Sequence, residues 1–187
     1  MLPFLFTLLT FSPTPAQTAP AADPDYEAFK VAVMQRVRDL EAAIKVITNR
    51  TFSEDIRYDA VDVATSYFAS ANQDFEVSNV KTKKVRVYPV NTYLSRLYNL
   101  PYDVTTIDWV DFRWASELYQ TPNGDYNGSV QVIQRFRGKI DGKIVYTDLT
   151  TKTIDITVRT HTMDLGDRTE EVIQIELRDV KVSETKQ

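Results

Sequence analysis

The second half of the chain constrains the fold most. From residue 103 onward, four long runs rich in Val, Ile, Thr and aromatic residues follow one another, at 103–118, 126–139, 143–162 and 169–182. Such runs predict strands. Turn signals separate them: Pro122-Asn123-Gly124, Asp141-Gly142 and Leu165-Gly166-Asp167. Asp-Gly between two β runs signals a two-residue hairpin, because both positions of that turn need positive φ. It pairs Ile140 with Lys143 and so places Val145, Thr147 and Leu149 on one face with Phe136, Gln134, Val132 and Val130. On the other face Arg137 meets Tyr146 and Arg135 meets Asp148. The first face is the apolar one and is expected to line the core. A turn at Leu165-Gly166 pairs Val158 with Ile173, Ile156 with Ile175 and Ile154 with Leu177, and sets Asp155 opposite Glu176. The third run then carries a conflict of phase: its inward residues are odd-numbered up to Leu149 and even-numbered from Ile154. A β-bulge within 150–153 supplies the missing residue and bends the strand. Long bent strands curl, and the elements left to fill the curl are helices.

Those helices lie before residue 103. Asp23-Pro24 suits a helix start, and Tyr26, Phe29, Val33, Val37, Leu40, Ile44 and Ile47 follow at spacings of three and four, one apolar stripe. Ser53 ahead of Glu54-Asp55 predicts a second capped helix reaching residue 69, with Ala60, Ala64, Tyr67 and Phe68 inward. Residues 75–80 and 83–90 read as short strands. Asn91 is expected to cap a third helix carrying Tyr93, Leu94, Leu97 and Tyr98, with Pro101 stopping it. The expected fold is α+β: three N-terminal helices packed in the concavity of a curved antiparallel sheet of four long and two short strands. It forms one domain over 24–182, followed by a tail at 183–187.

Composition removes whole classes of chemistry. The 187-residue chain has no Cys, which excludes disulfides, iron–sulfur clusters, thiolate zinc sites and cysteine nucleophiles. A single His precludes a multi-histidine metal site, and Asp108, Asp111, Glu117 and Asp125 lack the spacing of a calcium loop. No metal and no cofactor is therefore expected. Five Gly leave no phosphate-binding loop, and a net charge of −4 gives no basic field for nucleic acid. Residues 2–11 are an uncharged apolar run, and Ser12-Pro13-Thr14-Pro15-Ala16 follows with small residues before a cut after Ala16. This is the shape of a secretory signal, too short to span a bilayer. Residues 1–16 are read as that signal, 17–23 as a linker, and the protein as exported without a membrane span.

The order long helix, helix, two short strands, short helix and four long strands resembles the nuclear transport factor 2-like (cystatin-like) superfamily. The resemblance covers about residues 24–182. Gly128, Gln134-Arg135-Phe136-Arg137-Gly138, Tyr146-Thr147-Asp148, Lys152 and the closing Leu177-Arg178-Asp179-Val180-Lys181-Val182 are similar to uncharacterised exported members. The resemblance implies a sheet that wraps its helices into a cone. The superfamily includes ketosteroid isomerase, scytalone dehydratase and limonene epoxide hydrolase types as well as non-catalytic binding modules, so it does not decide the activity.

Its enzymes place acid–base residues on the inner face of the sheet, which makes the phase of 103–118 decisive. In one phase Val110, Phe112, Trp114 and Leu118 face inward. In the other Ile107, Trp109, Asp111, Arg113 and Ala115 do, and Asp111 with Arg113 become catalytic candidates beside Gln134. Burying an ion pair carries a desolvation penalty that favours the apolar phase. Tyr88, Tyr93, Trp109 and Gln134 are the candidate ligand contacts at the rim and interior of the cone. His161, near a strand end, is expected to be exposed and structural. The expected function is an exported non-catalytic module that binds a partner protein or small ligand. A homodimer is expected across the outer sheet face, where Tyr146, Ile133 and Ile144 would lie among Arg and Lys. The alternative is an isomerase, dehydratase or hydrolase using Asp111, with Arg113 and a Tyr assisting.

Overall fold

The computed structural model describes residues 24–80 and 82–186. The expected leader and linker lie outside the described residues. Helix α1 (Pro24–Thr48) buries Phe29, Val33, Val37, Leu40, Ile44 and Ile47 along its stripe. At roughly 1.5–3 kcal/mol for each such side chain, this face holds the helix on the sheet. Helix α2 (Glu54–Ser66) starts at Ser53, whose hydroxyl accepts from the Ile56 N–H, with Glu54 and Asp55 in the first turn. Both features satisfy or complement the free N–H groups of that helix end. Strands β1 (Asp74–Asn79) and β2 (Lys84–Pro89) form an antiparallel hairpin.

Helix α3 (Val90–Tyr98) starts differently from the sequence expectation. Pro89, not Asn91, holds the cap position, and no side chain caps the helix. The chain before β1 supplies the acceptors instead: the Val90 N–H donates to the Gln73 carbonyl and the Asn91 N–H to the Ala71 carbonyl. With these N–H groups already paired, the Asn91 carboxamide oxygen accepts from its neighbour, the Thr92 N–H.

Arg57 ties the helices together. Its Nε donates to the Ile47 carbonyl, its Nη2 donates to the Tyr98 carbonyl, and its guanidinium lies 4.2 Å from the Tyr98 ring centroid. One buried cation thus closes the C-terminal ends of α1 and α3, where the carbonyls lack partners and the helix dipole is negative. Arg57→Met is expected to lower the unfolding free energy by about 2–4 kcal/mol, since two carbonyls lose charge-assisted donors. Urea denaturation checks this, and full stability in Arg57→Lys would contradict it, because an ammonium lacks the two-armed reach.

The remaining strands are β3 (Val104–Gln120), β4 (Tyr126–Ile140), β5 (Lys143–Asp164) and β6 (Thr169–Lys186), and the sheet order is β2-β1-β6-β5-β4-β3. The sheet is mixed, not wholly antiparallel as expected: β1 runs parallel to β6 at Phe75 and Val180. Strand β6 also takes in residues 183–186, expected as a tail.

Asp141 and Gly142 have φ of 49° and 73°, and Ile140 faces Lys143, as the Asp-Gly signal requires. That register lasts only one further pair. Lys139 faces Ile144 but Gly138 faces Tyr146, so Val145 is a bulge. From Tyr146 to Val158 the even-numbered residues of β5 share the face of Phe136, Gln134, Val132 and Val130. Strand β5 carries no extra residue at 150–153; the irregularity there, between Thr151 and Lys152, lies in β6, where Ser183 is unpaired. Before Leu149 strand β5 has only β4 beside it, because β6 ends opposite Leu149. A bulge at Val145 interrupts one ladder, whereas one at 150–153 would interrupt two. The consequence is chemical. Thr147 and Leu149 turn away from the core, the pairs Arg137–Tyr146 and Arg135–Asp148 do not form, and Asp148, Thr150 and Lys152 are buried.

Against β6 the register is two residues from the expected one: Val158 faces Ile175 and Ile156 faces Leu177. A two-residue slip keeps each side chain on its face, so Ile156 and Val158 stay in the core, while Ile173 is left exposed and, past a further shift, Val180 faces Ile154. It does separate Asp155 from Glu176, and Asp155 pairs with Lys181 at 2.6 Å. Strand β3 uses both phases in turn. Ile107 and Trp109 face inward, the register shifts between Trp109 and Asp111, and then Phe112, Trp114 and Leu118 face inward. Glu41 of α1 accepts the Trp109 N–H at 2.9 Å and anchors this edge strand.

Candidate ligand-binding site

The β1–β2 hairpin, α3, the connection from α3 to β3, and the ends of β4 and β5 nearest their shared turn enclose a cavity of about 480 Å³. This is a small-molecule size. Tyr88 and Val77 come from the hairpin, Tyr93 and Leu97 from α3, and Leu100, Pro101 and Tyr102 from the connection. Gln134 and Phe136 line it from β4. Strand β5 adds Tyr146, Asp148, Thr150 and Lys152, the four residues that the Val145 bulge turns inward.

Lys152 is 2% exposed. Its Nζ lies 4.4 Å from the Phe75 ring centroid and 5.3 Å from that of Tyr93, and these two rings stack at 3.7 Å. Among the described residues it makes no hydrogen bond or ion pair. Ring faces compensate a cation only partly for lost water. Burial therefore lowers the Lys152 amine from 10.5 to about 7, against the attraction of Asp148 and Glu76. Asp148 lies on the same face, with Thr150 between them. Its carboxylate accepts from the Tyr146 hydroxyl at 2.8 Å and from the Thr150 hydroxyl at 3.4 Å. Burial raises the Asp148 carboxyl against those bonds and against Lys152. Tyr146 is pushed up to about 12 by burial first, then by its bond to Asp148. Burial and the Asp148 charge also raise Tyr93 and Tyr102.

The exposed part of the lining is basic. Arg96 lies 4.7 Å from the Tyr88 ring centroid, and a bond from Arg86 lowers the Tyr88 hydroxyl. With Lys84, these bring the cations of the cavity to four, against one carboxylate, in a chain of net charge −4. A cleft with low-dielectric walls concentrates such a field. The arrangement suits an organic anion with an apolar or aromatic body, and it holds an amine able to exist uncharged near neutral pH.

Of the residues expected at a site, Tyr88, Tyr93 and Gln134 line this cavity. Trp109 does not; it faces Gln134 across the β3–β4 ladder and is buried, with its indole N–H lacking an acceptor and Gln134 Oε1 lacking a donor among the described residues. Asp111 and Arg113 are exposed on the outer face, and Arg113 donates to the Gln131 carboxamide at 2.7 Å. The irregularity at Val110 keeps them outward, as the favoured apolar phase has them, so the alternative interior ion pair is not formed. His161 is exposed. Tyr146, expected outside, is a wall of the cavity. Sequence reasoning missed Asp148, Tyr146 and Lys152 as interior groups. The signal was the parity of Ile154, Ile156 and Val158, which continues back to Tyr146 without a break.

Gly138 shapes the cavity indirectly. A Cβ there would fall 2.6 Å from the ring of Tyr102, which also meets Phe136 in an edge contact with the centroids 5.7 Å apart. Gly138→Ala is expected to cost about 1–3 kcal/mol of stability through this overlap. Thermal unfolding measures it, and an unchanged midpoint would contradict the close approach.

No protein-family model, no curated protein and no solved structure matches this chain. The function must therefore be argued from the cavity itself.

Proposed function

We propose that this protein is a non-catalytic binding protein for a small organic anion with an apolar or aromatic body. One observation carries the reading: Lys152 is buried against the cavity with no counter-ion in contact, while Lys84, Arg86 and Arg96 line its exposed part. A ligand carboxylate supplies the missing partner, and the rings of Tyr88, Tyr93 and Tyr102 take the ligand's body. The proposal includes the cone-like arrangement of the nuclear transport factor 2-like superfamily, supported by element order. It also includes export, supported by the apolar run at 2–11 and the small residues before Ala16. A homodimer across the outer sheet face belongs to the same proposal. Its support is reduced to Ile133 and exposed Ile144, since Tyr146 faces the cavity.

Calorimetry with aromatic and aliphatic carboxylates, each beside its neutral amide, tests the binding role. Carboxylates are expected to bind at least tenfold more tightly than the amides, and equal affinities would overturn the reading. The second reading, an acid–base enzyme, is favoured by the Tyr146–Asp148 hydrogen bond inside the cavity. It now rests on Asp148, Tyr146 and Lys152 in place of Asp111 and Arg113. Turnover of a bound carboxylate would establish it.

A further inference from the structure

We propose that Lys152 captures its ligand covalently, as an imine with an aldehyde or ketone that also bears an acidic group. The inference rests on the anion-binding reading and deepens it. A lysine that condenses with carbonyls needs an uncharged nitrogen, a cavity beside it, and a proton-transfer group on the same wall. Lys152 has the cavity, and among the described residues no donor engages its lone pair and no acceptor its N–H groups. Asp148 stands on the same face, and the Tyr146 hydroxyl bonded to it reaches the same cavity. Burial favours both the neutral amine and the protonated carboxyl. Asp148 from β5 and Glu76 from β1 act on this amine by charge, and the Tyr93 ring of α3 faces it, while Lys84, Arg86 and Arg96 line the exposed part of the cavity, where the ligand's anionic group would lie.

The chemistry balances without a co-reactant. The Nζ lone pair forms a bond to the carbonyl carbon, and the C=O π pair moves to oxygen, which takes the proton of the Asp148 carboxyl. The nitrogen returns a proton to Asp148. The carbinol oxygen leaves as water with that proton while the nitrogen pair closes the C=N bond, which leaves an iminium beside the Asp148 carboxylate, and transfer of the iminium N–H proton to Asp148 restores the carboxyl. One amine and one carbonyl give one imine and one water, and nothing is oxidised or reduced. Hydrolysis reverses the sequence and releases the ligand.

Treating the full chain at pH 7 with 4-formylbenzoate and cyanoborohydride, then mapping peptides by mass, tests the inference. An unburied lysine is neutral at only about one part in 3,000 at this pH, so background labelling is low. The expected result is a reduced adduct on Lys152, at least tenfold above any other lysine. It should be suppressed by benzoate, and weaker by tenfold or more with uncharged benzaldehyde. Wild-type mapping needs no variant to fold; Lys152→Arg serves as a control. Labelling spread over the surface lysines, or none at Lys152, overturns the imine. If benzoate still binds in that case, the anion-binding reading stands. An adduct on Lys152 that forms equally with benzaldehyde and ignores benzoate would contradict the acidic group, and with it the anion-binding reading.

Discussion

Lys152→Met is expected to make the unliganded protein more stable while abolishing its affinity for organic anions. The lowering of this amine from 10.5 to about 7 corresponds to about 5 kcal/mol against the protonated form, at about 1.4 kcal/mol per unit. Methionine fills the same space between Phe75 and Tyr93 without the charge. That figure is already net of the attraction of Asp148 and Glu76; relaxation around the buried amine brings the expected gain to about 1–3 kcal/mol at pH 7. For a chain of this length that raises the melting temperature by roughly 2–10 °C. The linkage sign gives a second signature. Between about pH 7 and 10.5 the unfolded chain keeps the proton that the folded Lys152 has lost, so wild-type stability rises with pH. Tyr93, Tyr102 and Tyr146 oppose this only above pH 10, where unfolded tyrosines ionise before the folded ones. Stability should therefore climb by about 3 kcal/mol from pH 7 to 9.5 in the wild type and change far less in Lys152→Met. A destabilised variant, or identical pH profiles, would contradict the buried uncompensated amine.

The second large effect concerns the ligand. An anion bound near Lys152 favours the ammonium and restores the lost proton, so binding is coupled to proton uptake. Above about pH 7 the affinity of benzoate-like probes should fall by up to tenfold per pH unit, and the heat of binding should vary with the ionisation enthalpy of the buffer. Lys84, Arg86, Arg96 and Asp148 share the cavity. The exposed cations add a salt dependence on the scale of the Debye length, and Asp148 weakens binding wherever it is ionised. Lys152→Met should bind at least 100-fold more weakly at pH 6 and lose the slope above pH 7. Retention of the slope would assign it to another group.

Much of the architecture is visible in the residue pattern, for reasons that also explain what is not. The α1 stripe from Phe29 to Ile47 and the Ser53 cap are local signals, readable over one or two turns. The Asp141-Gly142 hairpin is equally local. The displacement between β5 and β6, two residues at Ile156 and Val158 and three at Ile154, is not marked locally; it leaves these three on their face and costs the core only Ile173. The single-residue bulge at Val145 has a larger effect. It leaves no mark in composition, yet it reverses the expected face of each residue from Tyr146 to Leu149. A rule that apolar side chains go inward selected Val145 and Leu149 for the core and hid the site behind them. In β3 the same rule sends Val110 inward and leaves Asp111 and Arg113 in water; because the strand changes phase there, Val110 is exposed and Ile107 and Trp109 are buried instead.

The most direct test of the account is the titration of Lys152 itself. Followed through the ¹³Cε resonances of selectively labelled lysine, with the signal assigned by its loss in Lys152→Met, the amine should titrate near pH 7 and move upward when benzoate is added. A Lys152 signal that stays protonated to pH 10 would contradict the proposed site.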